Sequence, residues 1–154
     1  MCFDYFPASN SYLRISSKFG IAFPNMARID SDQHTSSFRR LIEAVHREGG
    51  RIVIQINHAG RQTSSSILGC SPVGPSAIPC PVRGEMPREL SFKEIQEIIK
   101  AFGDAARRVR EAGADGVEIH MAHGYLISQF LSPFSNHRTD EYGGGPERRT
   151  AMAS

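Results

Sequence analysis

Two imidazoles and a phenol crowd into one short run, His120-Met121-Ala122-His123-Gly124-Tyr125-Leu126. The run begins where a β-branched segment, Gly116-Val117-Glu118-Ile119-His120, ends. In parallel α/β folds ligands bind beyond the carboxyl ends of the strands, so these side chains are expected at one mouth. Ring N–H groups there can hold a carbonyl oxygen, and a phenol can move a proton. Other readings of the same residues stand beside this one. A His-x-x-His pair can be structural, and Tyr125 can be a packing residue. Neutral imidazoles also bind zinc. A metal-dependent hydrolase would need a third ligand, for which Glu118 and Asp140 are the near candidates.

Gln55 is the second residue of interest. It interrupts Arg51-Ile52-Val53-Ile54-Gln55-Ile56-Asn57, a run otherwise apolar on both faces. A buried amide left without partners costs on the order of 1–3 kcal/mol. Gln55 is therefore either a satisfied core glutamine or an amide that faces a site and meets a heterocycle edge. His58-Ala59-Gly60-Arg61 follows directly. It reads as a solvated loop with a capping arginine, with an anion-binding loop as the alternative.

These residues need elements to position them. Ser31 or Asp32 caps a helix whose stripe is Phe38, Leu41, Ile42 and Val45. Gly49-Gly50 ends it, because glycine accepts the left-handed conformation past a C-cap. The run 51–57 then reads as a parallel strand covered on both faces. Residues 58–90 form a long excursion rich in Gly, Ser and Pro, and structureless stretches of that length are usually functional. Ser91-Phe92-Lys93-Glu94 is a capping box, followed by Ile95, Ile98, Ile99, Phe102, Ala105, Ala106 and Val109 at helical spacing, up to Gly113. Strand, helix and strand in sequence imply a parallel sheet with a right-handed crossover. Upstream, Tyr12–Ser16 alternates like a short strand, and 20–29 carries the Gly and Pro breakers of a loop. Two segments result: a poorly defined N-terminal stretch, 1–30, and an α/β domain, 31–154.

Composition sets outer limits. The chain has 154 residues, net charge +2, 22% charged and 40% hydrophobic residues, the profile of an ordinary globular domain. So small a charge gives no ground for a nucleic-acid or membrane-surface partner. Cys2, Cys70 and Cys80 are odd in number and contain no Cys-x-x-Cys pair, which fits a reducing cytoplasm rather than a disulfide framework. No apolar run approaches the roughly 20 residues that span a bilayer. Residues 1–10 lack the basic-then-apolar order of a signal peptide.

The order and spacing of several blocks resemble the old yellow enzyme family of NADH:flavin oxidoreductases. Ile54-Gln55-Ile56-Asn57-His58-Ala59-Gly60-Arg61 is similar to its strand-and-loop signature, and Pro75-Ser76-Ala77 to its next landmark. The stretch 116–126 continues the pattern, followed by Gln129-Phe130-Leu131-Ser132-Pro133 and by 136–144. The resemblance covers roughly residues 30–150. Two histidines, His120 and His123, resemble the bacterial-type and 2,4-dienoyl-CoA reductase-like members.

The resemblance implies a (β/α)8 TIM barrel, here incomplete, comprising about the third and fourth βα units with a long intervening loop. It implies FMN at the barrel mouth and NADH or NADPH as reductant. Gln55 would bind the pyrimidine edge of the flavin, His120 and His123 the oxygen of an α,β-unsaturated carbonyl substrate, and Tyr125 would supply a proton to the α-carbon. Arg138, Asp140 and Tyr142 match the family's following loop and are expected to structure it. A full barrel takes about 250 residues, so strands five to eight, with the flavin-facing arginine and the phosphate loops, are expected to be missing. An ene reductase impaired by truncation, a catalytically inactive barrel fragment and a His-ligated hydrolase are thus the competing functions. Open strand edges are expected to call for an oligomer or a complementing chain.

Overall fold

The computed structural model describes residues 20–24 and 26–153, so the expected strand at 12–16 lies outside the described residues. Ser31 caps a 3-10 turn, Asp32–His34, by accepting from the Gln33 N–H. Helix α1, Thr35–Arg47, continues from it and buries Phe38 and Ile42. Gly49 follows at φ 73, the left-handed stop that the glycine pair predicts. Strand β1 is Val53–Ile56.

Helix α3, Phe92–Ala112, starts at the expected capping box, with Ser91 and Glu94 exchanging side-chain and backbone bonds. It ends at Gly113, φ 98. Between these caps Ile95, Ile98, Phe102, Ala105 and Val109 form one buried stripe. Strand β4, Gly116–Ile119, then pairs in parallel with β1, Val53 opposite Gly116 and Ile56 opposite Ile119. Asp115 fixes the start of this pair. Its carboxylate accepts from the Ile52 N–H at 2.8 Å and lies 2.9 Å from His46 Nε2 at the end of α1.

Side chains alternate across a strand, and here the two faces differ. Ile54 and Ile56, both 0% exposed, point into the core shared with α1 and α3. Full burial of each contributes about 1.5–3 kcal/mol. The opposite face carries Val53 and Gln55 on β1 with Asn57 just beyond, and Gly116 and Glu118 on β4 with His120 just beyond. Val53 is 46% exposed. The expectation of a strand covered on both sides is therefore corrected: among the described residues the helix-facing side of β1 is fully covered, while the other side is open at Val53 and closes only toward Asn57.

The excursion after β1 is not structureless. It holds a one-turn helix α2, Ser65–Leu68, and a short parallel pair, β2 Val73–Gly74 with β3 Arg88–Glu89. Nor is its first loop solvated as expected. His58, Ala59 and Arg61 are buried, and Arg61 spends its guanidinium on the carbonyls of Ile78 and Pro79 at 2.9 and 3.1 Å. Helix α4, Leu126–Leu131, and a short helix α5, Pro146–Arg149, complete the elements. Arg138 pins the segment between them. It donates to Asp140, to Glu89 and to the carbonyls of Pro75 and Leu90. Tyr142 is buried and accepts from Gln96 of α3. No described helix is long and apolar enough to cross a membrane.

Candidate functional site

The strand register brings the singled-out residues onto one face. Gln55 sits directly opposite Glu118, and its Nε2 donates to Glu118 Oε1 at 2.7 Å. One step further along, the His120 N–H donates to the Ile56 carbonyl at 2.9 Å, which sets His120 beside Asn57 at the strand ends. Gln55 thus points away from the helix layer, as its functional reading requires.

His120, His123 and Tyr125 converge. His120 Nε2 and His123 Nδ1 are 3.3 Å apart. The His120 and Tyr125 rings meet edge to face, with centroids 4.8 Å apart. All three line one cavity of about 410 Å³. Burial first, and the neighbouring His123 second, hold the His120 imidazole below its ordinary pKa, against a smaller upward pull from Glu118. This favours the neutral form of the ring, a donor on one nitrogen and an acceptor on the other.

The backbone that presents these rings is strained. His123 has φ 55, the one positive value among described non-glycine residues. Such a conformation costs of order 1–3 kcal/mol and persists only where neighbours impose it. Gly124 follows at φ 72. Gln62 imposes the turn by donating to the His123 carbonyl. A Cβ on Gly124 would meet only the movable end of the Gln62 side chain, so it is the positive φ that favours glycine here.

Four residues of the site escape a reading of the sequence. Phe23 and Met26 reach the cavity from the 20–29 loop, and Gln62 and Asn57 line it as well. Loop side chains carry no periodicity that would have found the first three. Asn57 could have been found, because it lies two residues past Gln55 and so shares its face. Asn57 is 1% exposed and its Oδ1 has no partner.

The two candidate third metal ligands are both taken up by other partners. Asp140 is held by Arg138 through bonds of 3.0 and 3.1 Å to its Nε. That guanidinium, before any other cause, keeps the Asp140 carboxyl below the ordinary carboxylate range. Glu118 is engaged with Gln55. Among the described residues, no three His, Cys, Asp or Glu side chains are grouped to hold a metal ion.

A flavin edge is a different matter. Gln55 Oε1 is buried and without a partner, an acceptor that fits the imide N–H of a flavin pyrimidine ring. The model of the NADH:flavin oxidoreductase / NADH oxidase family matches residues 11–153. The chain belongs to this family. Its relatives include an NADH oxidase of Thermoanaerobacter brockii, 54% identical over 123 residues, which are 79% of this chain and 19% of that protein. An NADPH dehydrogenase of Bacillus subtilis is 49% identical over 119 residues, 77% of this chain and 34% of that one. In structure the chain is similar to morphinone reductase in complex with tetrahydroNAD, with TM-score 0.86 and 33% identity over 92% of this chain and 44% of that one. The fold is an incomplete α/β barrel, and the chain spans from about a fifth to about a third of these two curated relatives.

Proposed function

We propose that this chain provides the carbonyl-binding mouth and one flavin contact of an FMN-dependent NAD(P)H oxidoreductase that reduces activated C=C bonds. The observation that carries the reading is the gathering of His120, His123 and Tyr125 at the ends of β1 and β4, on the face where Gln55 keeps a free acceptor. FMN, when bound, supplies the hydride chemistry. Gln55 would hold its pyrimidine edge, with Oε1 as the available acceptor.

The two histidines act as a fork. In this structure the two rings are hydrogen-bonded to each other, one facing nitrogen donating and the other accepting. A substrate oxygen that enters between them takes the place of that bond and accepts from both rings, each then carrying its proton on the nitrogen turned to the oxygen. Negative charge that develops on that oxygen as the C=C is reduced is then stabilised by these two ring donors. Tyr125, packed against His120, supplies a proton to the α-carbon. Phe23 and Met26 give the substrate apolar cover, and Asn57 offers an amide with unspent hydrogen-bonding capacity. The nicotinamide reductant is supported by the NADH and NADPH activities for which the relatives are named. Cytoplasmic placement belongs to the same proposal and rests on the free thiols Cys70 and Cys80.

A second reading, a catalytically silent barrel fragment that needs a complementing chain, draws on the exposure of Val53 at 46% and Ile119 at 49%. FMN titration followed by visible absorbance and flavin fluorescence separates the two. The enzyme reading expects saturable binding that Gln55→Leu weakens about tenfold, the worth of one buried hydrogen bond. No binding by the unaltered protein, or binding that Gln55→Leu leaves unchanged, overturns it.

A further inference from the structure

Gln129 lies in α4, outside the cavity lining, and is 1% exposed. Its amide is fully used. Nε2 donates to the Ala59 carbonyl at 3.0 Å and to the Gly124 carbonyl at 2.6 Å, and Oε1 accepts from the Arg61 N–H at 3.1 Å. A merely satisfied core glutamine would bond whatever backbone lies nearest. This one bonds the loop after β1 on one side and the loop after β4 on the other.

We propose that Gln129 is a positioning residue for the ring cluster, joining the two loops whose separation sets where His123 and Tyr125 stand. Gly124 sits between those two residues. Its own carbonyl is held by Gln129, and the preceding carbonyl, of His123, is held by Gln62. Both peptide planes flanking Gly124 are therefore fixed, one from the core and one from the rim. This arrangement holds His123 in its left-handed conformation and directs Tyr125 toward His120. The seam continues in the backbone, where the Leu126 N–H donates to the His58 carbonyl at 2.9 Å.

The sequence accommodates this clamp at Gly60. That residue has φ +59, and a Cβ on it would come within 2.2 Å of Gln129 Oε1. Only glycine lets the β1 loop approach the amide this closely.

The inference deepens the proposed function, but its structural half can be read without any turnover. The test compares unaltered protein with Gln129→Met, which keeps the length and removes all three bonds. Protein carrying this sequence is loaded with FMN, 2-cyclohexenone is the probe, and the His123 and Tyr125 ring signals are followed by NMR. The expected result is displaced ring signals and an enone affinity lower by about tenfold, with FMN affinity held within twofold because Gln55 lies on the strand. Unmoved rings, or enone and FMN affinities that fall together in a folded variant, overturn the proposal. If the unaltered protein binds no enone, the proposed function fails while the ring signals still decide the role of Gln129. If Gln129→Met does not fold, solvent exchange of the Gln129 side-chain NH2 in unaltered protein decides: slow exchange supports the clamp and fast exchange overturns it.

Discussion

His120 Nε2 and His123 Nδ1 stand 3.3 Å apart, close enough for a single oxygen atom to sit within hydrogen-bond distance of both. Under the proposed function the pair acts as one recognition element, so its two members should be energetically coupled. His120→Ala and His123→Ala are each expected to weaken enone binding about tenfold, and the double variant by less than the product, because neighbours sharing a partner are not additive. Isothermal titration across the four proteins measures this. Strict additivity would mean that the two rings act on different atoms.

His58 gives the fold a pH dependence. It is buried, its Nδ1 accepts from the Gly60 N–H at 3.0 Å, and burial pushes its pKa from 6.5 down to about 3. A folded pKa below the unfolded one means that the unfolded chain binds the proton more readily, so stability present above pH 6.5 is lost as pH falls toward 3. Between pH 7 and pH 5 the loss is expected to be about 2 kcal/mol. Urea melts at the two pH values should show it, and His58→Asn should flatten the dependence.

Gly60→Ala should destabilise the fold by more than about 2 kcal/mol, since it combines a positive φ with a clash against a buried, fully bonded amide. Gly49→Ala shares the positive φ but meets nothing within 4 Å, and should cost only about 1 kcal/mol. Thermal melts of the two variants separate conformational strain from close approach.

The Ser91 capping box holds the start of α3. The Ser91 hydroxyl accepts from the Glu94 N–H at 3.3 Å, while Glu94 Oε2 accepts from the Ser91 N–H at 2.8 Å. Ser91→Ala should cost about 1 kcal/mol. The Glu94 carboxyl, lowered to about 2 chiefly by Arg88, still carries its charge at pH 4, so the cap should survive mild acid in circular dichroism.

Much of this scaffold is legible because its signals are local. Ser91 with Glu94, the stripe from Ile95 to Val109, and the stop at Gly113 place α3 without reference to anything outside it. Gln55 is legible as an exception within an apolar strand, and the His120-to-Tyr125 run by its position at a strand end. What escapes is long-range. The β2–β3 pair is two residues long and joins positions separated by Pro75–Pro87, so no period announces it. Arg61 looks solvent-exposed until the carbonyls of Ile78 and Pro79 fold back onto it. Gln129 is a polar residue inside Leu126-Ile127-Phe130-Leu131, a local hint of the clamp, but only Gly124 among its partners is near in sequence, and Arg61 and Ala59 lie 68 and 70 residues away.

The half-reactions of a Tyr125→Phe variant isolate the role of the phenol. In protein carrying this sequence and loaded with FMN, stopped-flow absorbance follows flavin reduction by NAD(P)H and then reoxidation by 2-cyclohexenone. Loss of the phenol should leave the first step within about twofold and slow the second by roughly 100-fold or more, the range of one proton-transfer group. Equal rates of reoxidation in the variant and the unaltered protein would contradict the assignment of Tyr125 as proton donor.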